Sequence, residues 1–183
     1  MCKSNVLFKI LIISEIAIGC DHAGYSLKEE IVKELKDKGY VVNDFGCYSE
    51  ESVDYPDFGH QVAQEVEKSS DKKGIVICGS GNGINMSVNK HEKVRGALCW
   101  NEEIALLARQ HNNANILALP ARYLAISEAQ KILDALRQHS VESDQIDYVI
   151  STHGHADHIG NNNLFLNATH IVALVQAKLL GIS

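Results

Sequence analysis

From Ile16 the chain alternates short β-branched runs with stretches in which apolar residues recur every three to four positions. Residues 16–20 (IAIGC) make an apolar run of strand length and read as a buried strand. Leu27, Ile31 and Leu35 then repeat at helical spacing. They stand behind Ser26-Leu-Lys-Glu29, which has the form of a capping box, and ahead of Gly39, a helix stop. The same alternation predicts a strand over 40–45, a helix over 58–68 with Val62 and Val66 inward, and a strand over 74–78 (GIVIC). Strands over 94–100 and 115–119 follow, separated by a helix near 102–110, and a last helix runs over 124–137. Five strands alternating with helices predict an α/β fold, a parallel sheet covered on both faces. Such sheets bind ligands beyond the carboxyl ends of their strands, where the strand order switches. Asp21 and His22, residues 78–83, and His111 with Asn112 are expected there.

Outside that region the pattern weakens. Residues 1–14 read as an N-terminal extension, 15–137 as the α/β domain, and 138–183 as a polar linker followed by a short C-terminal appendage with a strand over 146–151. Val6 to Ile13 is apolar but is interrupted by Lys9 and is far shorter than a membrane span, and no signal-cleavage pattern follows it. The sequons at Asn85 and Asn167 therefore carry no weight. The composition, 45% hydrophobic and 22% charged, fits a globular domain and excludes a disordered chain or a disulfide-stapled miniprotein. A net charge of −6 leaves no basic face for nucleic acid, and only local positive charge to hold an anionic substrate. The five cysteines are scattered without a Cys-x-x-Cys pair, as expected of reduced thiols in a cytoplasmic protein.

The candidate chemistry lies after the third strand. In Gly79-Ser-Gly-Asn-Gly83, closely spaced glycines let backbone N–H groups turn toward one point, and a helix start adds positive potential. The loop suits a phosphate, a carboxylate or an enolate oxygen, or it is simply a tight turn. It is neither a P-loop, since no Gly-Lys-Ser/Thr follows, nor a dinucleotide fingerprint, since Ile84 occupies the position of the third small residue. Cys78, just before the loop, is either a base or nucleophile activated by those N–H groups or a small apolar residue ending a buried strand. Arg122, after Pro120-Ala121, is a candidate anion clamp. His111 and Asp21-His22 have equally plain readings as helix-end residues, and only their common location raises them.

These residues carry a resemblance. Residues 16–24 (IAIGCDHAG), 53–57 (VDYPD), 77–84 (ICGSGNGI), Asn89-Lys90, Val94-Arg95 and 109–112 (RQHN) closely resemble type B ribose-5-phosphate isomerases, a group that shares its family with galactose-6-phosphate isomerase subunits. The resemblance covers about 15–136. It implies a Rossmann-like three-layer sandwich and a homodimer that interconverts ribose 5-phosphate and ribulose 5-phosphate through a cis-enediolate, with no metal and no cofactor. By position, Cys78 is the base, while Ser80 and the N–H groups of Gly79, Gly81, Asn82 and Gly83 stabilise the enediolate. His111, with Asp21, assists ring opening. His22 and Arg122 hold the phosphate, and Asn112 contacts sugar oxygens. Relatives that lack the cysteine carry a glutamate where Ile84 stands here. A hexose 6-phosphate (galactose or allose) substrate, or sugar-phosphate binding with weak turnover, are the alternatives.

Past the last helix the chain departs from that pattern. Family members continue into a Gly-Gly-Arg segment whose arginines help clamp the phosphate in the partner's site, but nothing after Arg137 is an arginine. Residues 146–160 (IDYVISTHGHADHIG) instead resemble the strand and metal loop of the metallo-β-lactamase superfamily. His153, His155, Asp157 and His158 have the donor types of a zinc site. Only His170 follows to add to them, too little for that fold's full ligand set, so this stretch reads as an incomplete fragment.

Overall fold

The computed structural model describes residues 15–138 and two short strands beyond them, 148–151 and 169–172. The chain divides into two compact units, Met1–Gln138 and His139–Ser183. In the first, the elements run β1 (Glu15–Cys20), α1 (Tyr25–Asp37), β2 (Val41–Asp44), α2 (Tyr55–Glu67), β3 (Lys73–Cys78), α3 (Asn82–Val88), β4 (Gly96–Leu98), α4 (Glu102–Asn112), β5 (Ile116–Pro120) and α5 (Ile126–Gln138). The five strands pair in parallel in the order β2-β1-β3-β5-β4. Right-handed crossovers decide which face each helix covers. The chain steps one way from β1 to β2 and from β4 to β5, and the other way from β2 to β3 and from β3 to β4. Hence α1, α4 and α5 cover one face, and α2 and α3 the other.

The core follows the period of two along the strands. Ile18, Ile75, Ile77, Leu117 and Leu119 pack with Leu27, Ile31, Leu35, Ala105 and Ile132 on the first face. Ala17, Val76, Cys78 and Ala118 pack with Val62, Val66, Ile84 and Val88 on the second. Burying each such aliphatic side chain contributes about 2 kcal/mol, which is why uninterrupted apolar runs mark the central strands.

Three local expectations need correction. Ser26 does not cap α1: Asp21 caps a 3₁₀ turn at His22–Gly24 that runs directly into the helix, so Gly24 is the N-cap. Ser26 Oγ donates instead to Glu50 Oε1, 3.1 Å away. Helix α2 begins at Tyr55, earlier than expected, because Asp54 is extended and Pro56 suits a first turn. Strand β4 is confined to Gly96–Leu98; the Arg95 N–H is taken by Asn115 Oδ1 at 2.8 Å rather than by a neighbouring strand.

In the second unit, β6 (Tyr148–Ser151) pairs in parallel with β7 (Thr169–Val172), placing Val149 opposite His170. The N-terminal extension, the linker and His153, His155, Asp157 and His158 lie outside the described residues. No helix among the described residues is long and apolar enough to cross a membrane.

Candidate active site at the strand carboxyl ends

The helix after β1 covers one face and the helix after β3 the other, so the carboxyl ends of these neighbours open a crevice at the switch in strand order. Asp21 enters it from β1. It is buried, its N–H donates to Ile77 O at 3.1 Å, and its Oδ1 accepts from Gly24 N at 3.1 Å. His22 sits beside it with Nδ1 3.3 Å from both the N and the O of Val53, so the segment between β2 and α2 sets the ring's position.

From β3 comes Cys78, buried on the α2–α3 side. Its carbonyl accepts from Ala121 N at 3.0 Å and from Gly81 N at 3.2 Å, which ties the loop to the end of β5. Gly79 O accepts from Arg122 N at 3.0 Å, and the Arg122 side chain lies across Gly79, its Nε 3.3 Å from where a Cβ would stand. The guanidinium is thereby brought to the loop. Gly81 turns the chain into α3 with φ +74°, a left-handed conformation that glycine adopts without strain. Ser80 is exposed, and its Oγ accepts from Asn82 N at 3.3 Å. The N–H groups of Gly81 and Asn82 therefore have partners within the loop itself. Asn82 and Gly83 open α3.

Tyr55 is a site residue that sequence reasoning missed. Its ring lies so close to Gly83 that a Cβ there would stand 2.6 Å from Cζ. The signal was present, since Tyr55 lies within the family-like stretch 53–57, but only the fold shows that α2 starts beside the loop.

A buried ion pair supports the crevice from behind. Lys28 Nζ, fully buried, donates to Asp44 Oδ2 at 2.6 Å, lies 3.0 Å from Glu29 Oε1 and stands 4.9 Å from the Tyr48 ring centre. Burial alone would lower the Lys28 pKa, but hydrogen bonds to Asp44 and Glu29 outweigh it and hold it above the ordinary lysine value. Asp44 in turn accepts from Gly46 N at 2.9 Å, fixing the turn that carries Cys47. Cys47 Sγ lies 3.7 Å from Cys20 Sγ, next to Asp21. Burial, and after it the neighbouring Cys47, push the Cys20 thiol up, and burial pushes Cys99 up to about 11. These two thiols are packing residues.

His111 and Asn112 are not in this crevice, contrary to the expectation that they follow a strand's carboxyl end. They finish α4, which runs back to the amino end of the sheet, where Gly74 of β3 pairs with Ile116 of β5. Cys78 lies four residues further along β3, about 13 Å at the usual strand rise. Both side chains are exposed and make no hydrogen bond among the described residues.

This arrangement, with its distinctive loop and strand-end residues, has relatives. The Ribose/Galactose Isomerase family profile matches residues 16–153. The chain belongs to the ribose/galactose isomerase family. The ribose-5-phosphate isomerase B of Escherichia coli is 43% identical over 121 residues, covering 66% of this chain and 81% of that protein. Within the family, the solved Clostridium thermocellum ribose-5-phosphate isomerase B superposes with a TM-score of 0.69 at 41% identity, covering 83% of this chain and 95% of that one. A Mycoplasma genitalium ribose-5-phosphate isomerase B, solved with bound ribulose 5-phosphate, superposes with a TM-score of 0.68 at 38% identity, over 83% and 94% of the two chains.

Proposed function

We propose that this protein is an aldose–ketose isomerase that interconverts D-ribose 5-phosphate and D-ribulose 5-phosphate, in the cytoplasm, as a homodimer. Family membership supports the reaction class. The observation that carries the site assignment is the convergence of Asp21, Cys78, the 79–83 loop and Arg122 at one switch point.

Ribose 5-phosphate is a closed furanose in water, so the reaction begins by moving a proton from the anomeric hydroxyl to the ring oxygen. Asp21 is buried and fixed by its own backbone turn, and the imidazole of His111 carries one nitrogen that accepts and one that donates; between them they move these protons. Cys78 Sγ then takes the C2 proton, the C2–H electrons form the C1–C2 double bond, and the carbonyl oxygen O1 becomes anionic. Return of the proton to C1, with transfer of the O2 proton toward O1, gives the ketose. Charge develops on O1 and O2 beside the exposed Ser80 hydroxyl and the opening turn of α3, and donors held in place at such a point lower the barrier most. His22 and Arg122 hold the phosphate. Arg122, lying across Gly79, anchors it at the far side of the loop.

Since His111 and Asn112 stand at the amino end of the sheet, a second copy must deliver them to each crevice. Two-fold pairing satisfies both sites at once, because each protomer offers the half that the other lacks. A second reading, sugar-phosphate binding with weak turnover, draws on the absence of arginine after Arg137. The deciding assay is conversion of ribose 5-phosphate to ribulose 5-phosphate by the purified chain with chelator present, run beside galactose 6-phosphate. Turnover of the pentose supports the isomerase; tight binding of it without turnover supports the second reading and overturns the first.

A further inference from the structure

The turn that carries His111 and Asn112 is held by two guanidinium groups, and we propose that Arg95 and Arg109 are positioning residues for the isomerase reaction, acting on the partner's site rather than on their own. The inference rests on the reading above, in which the second copy supplies His111 and Asn112.

Helix α4 ends in a left-handed residue, Asn113 at φ 49°, and Ala114 N reaches back to Ala108 O at 3.1 Å. Asparagine adopts that conformation more readily than other non-glycine residues, and here its side chain is tied down as well. One of the terminal nitrogens of Arg109 donates to Asn113 Oδ1 and, at 3.3 Å, to Ala114 O. From β4's side, Arg95 Nε donates to Asn112 O. Arg95 is itself anchored, with its N–H on Asn115 Oδ1 at 2.8 Å and its carbonyl accepting from Asn115 N at 3.0 Å. Two cations thus cap carbonyls at a helix carboxyl terminus, where the backbone dipole favours positive charge.

The contrast with the two side chains they flank is what points to function. His111 and Asn112 are exposed and unbonded among the described residues, so nothing but the backbone fixes where they point. A proton-transfer group misplaced by an ångström loses much of its effect, so bracing the backbone of this turn serves a site on another molecule. Arg95 also lines an open cleft of about 380 Å³ with Asn89, Ala108 and Asn112, so the Arg95–Asn112 contact stands at the edge of open space.

The test uses hybrid dimers made by co-expressing two differently tagged chains. Arg109→Met and Arg95→Met homodimers are expected to lose about tenfold in kcat with KM for ribose 5-phosphate changed far less, and Arg109→Lys to recover part of the loss. A hybrid of Cys78→Ala with Arg109→Met holds one crevice with native Cys78 facing a braced partner turn. Its activity should approach half that of the native dimer, well above the mean of its two parents. A hybrid that only averages its parents, or an Arg109→Met homodimer with native kcat, overturns the proposal. A control hybrid of Cys78→Ala with His111→Ala separates the two failures. If the control regains activity and the Arg109 hybrid does not, the brace alone is wrong. If the control stays inactive, sharing of the site between subunits is wrong as well. Should Arg109→Met fail to fold, Arg95→Met in the same hybrid carries the test.

Discussion

The two ends of the sheet hold their candidate site residues in opposite degrees of confinement. At the carboxyl end, Asp21 and Cys78 are buried and locked by backbone hydrogen bonds between neighbouring strands. At the amino end, His111 and Asn112 stand in solvent at the tip of a helix, fixed only through the backbone of their turn. Under the proposed function, the difference separates the half of the site that one chain makes by folding from the half that it can only present to a second copy. A base that abstracts a carbon-bound proton needs a dry, rigid seat, and the sheet provides one. Groups that shuttle protons between oxygens work at the rim, where a second molecule can place them.

The comparison is broken most severely at the carboxyl end. Cys78→Ala should lower kcat by about a thousandfold or more while leaving the circular dichroism spectrum unchanged, because the methyl group fills the same buried position without a base. A mutant with near-native turnover would remove Cys78 from the reaction. Arg122→Ala should act on binding instead. We expect KM for ribose 5-phosphate to rise about tenfold to a hundredfold with a smaller change in kcat, the range for a lost charge-assisted bond. An unchanged KM would dismiss it as the phosphate anchor.

A smaller effect sharpens the role of the loop. Gly83→Ala drives a methyl group into Tyr55, 2.6 Å away, and should cost about tenfold in kcat/KM by shifting the first turn of α3. Tyr55→Ala in the same chain removes the collision, so the double mutant should show a smaller loss than the two single losses multiplied. Losses that simply multiply would place Tyr55 and the loop in separate roles.

Acid should loosen the amino end. There Lys72 pairs with Glu15 at 2.7 Å and with Glu65, and Lys68 lies 2.5 Å from Glu65. Hydrogen bonds from Lys68 and Lys72 hold the Glu65 carboxyl below its ordinary 4.5. The unfolded chain therefore binds the proton first, so the stabilisation is complete above about pH 4.5 and is lost as pH falls through the depressed value. The thermal midpoint should drop across that window, and Glu65→Gln should flatten the drop. An identical pH dependence in the mutant would sink the assignment.

Much of this was legible in the sequence because local signals agreed. The runs at 16–20 and 74–78 are buried strands, and Leu27, Ile31 and Leu35 face the core as their spacing required. The loop at 79–83 was legible from its glycines. What the sequence could not show was distance. His111 looked like a strand-end residue because it lies close to β5 in sequence, yet it precedes that strand and so falls at the opposite end of the sheet. Tyr55 was hidden for the converse reason, being remote in sequence from Gly83 and in contact with it in space. Ser26 matched a capping pattern, but Asp21, already committed to the preceding turn, set the helix start first.

The claim that a side-chain base moves a proton through an enediolate is tested most directly with ribose 5-phosphate deuterated at C2, converted with and without chelator and followed by NMR. The account predicts ribulose 5-phosphate formed with a primary isotope effect and with deuterium lost to water, and no exchange or product with Cys78→Ala. Deuterium retained in full at C1, in a reaction that the chelator abolishes, would mean a hydride shift and would contradict it.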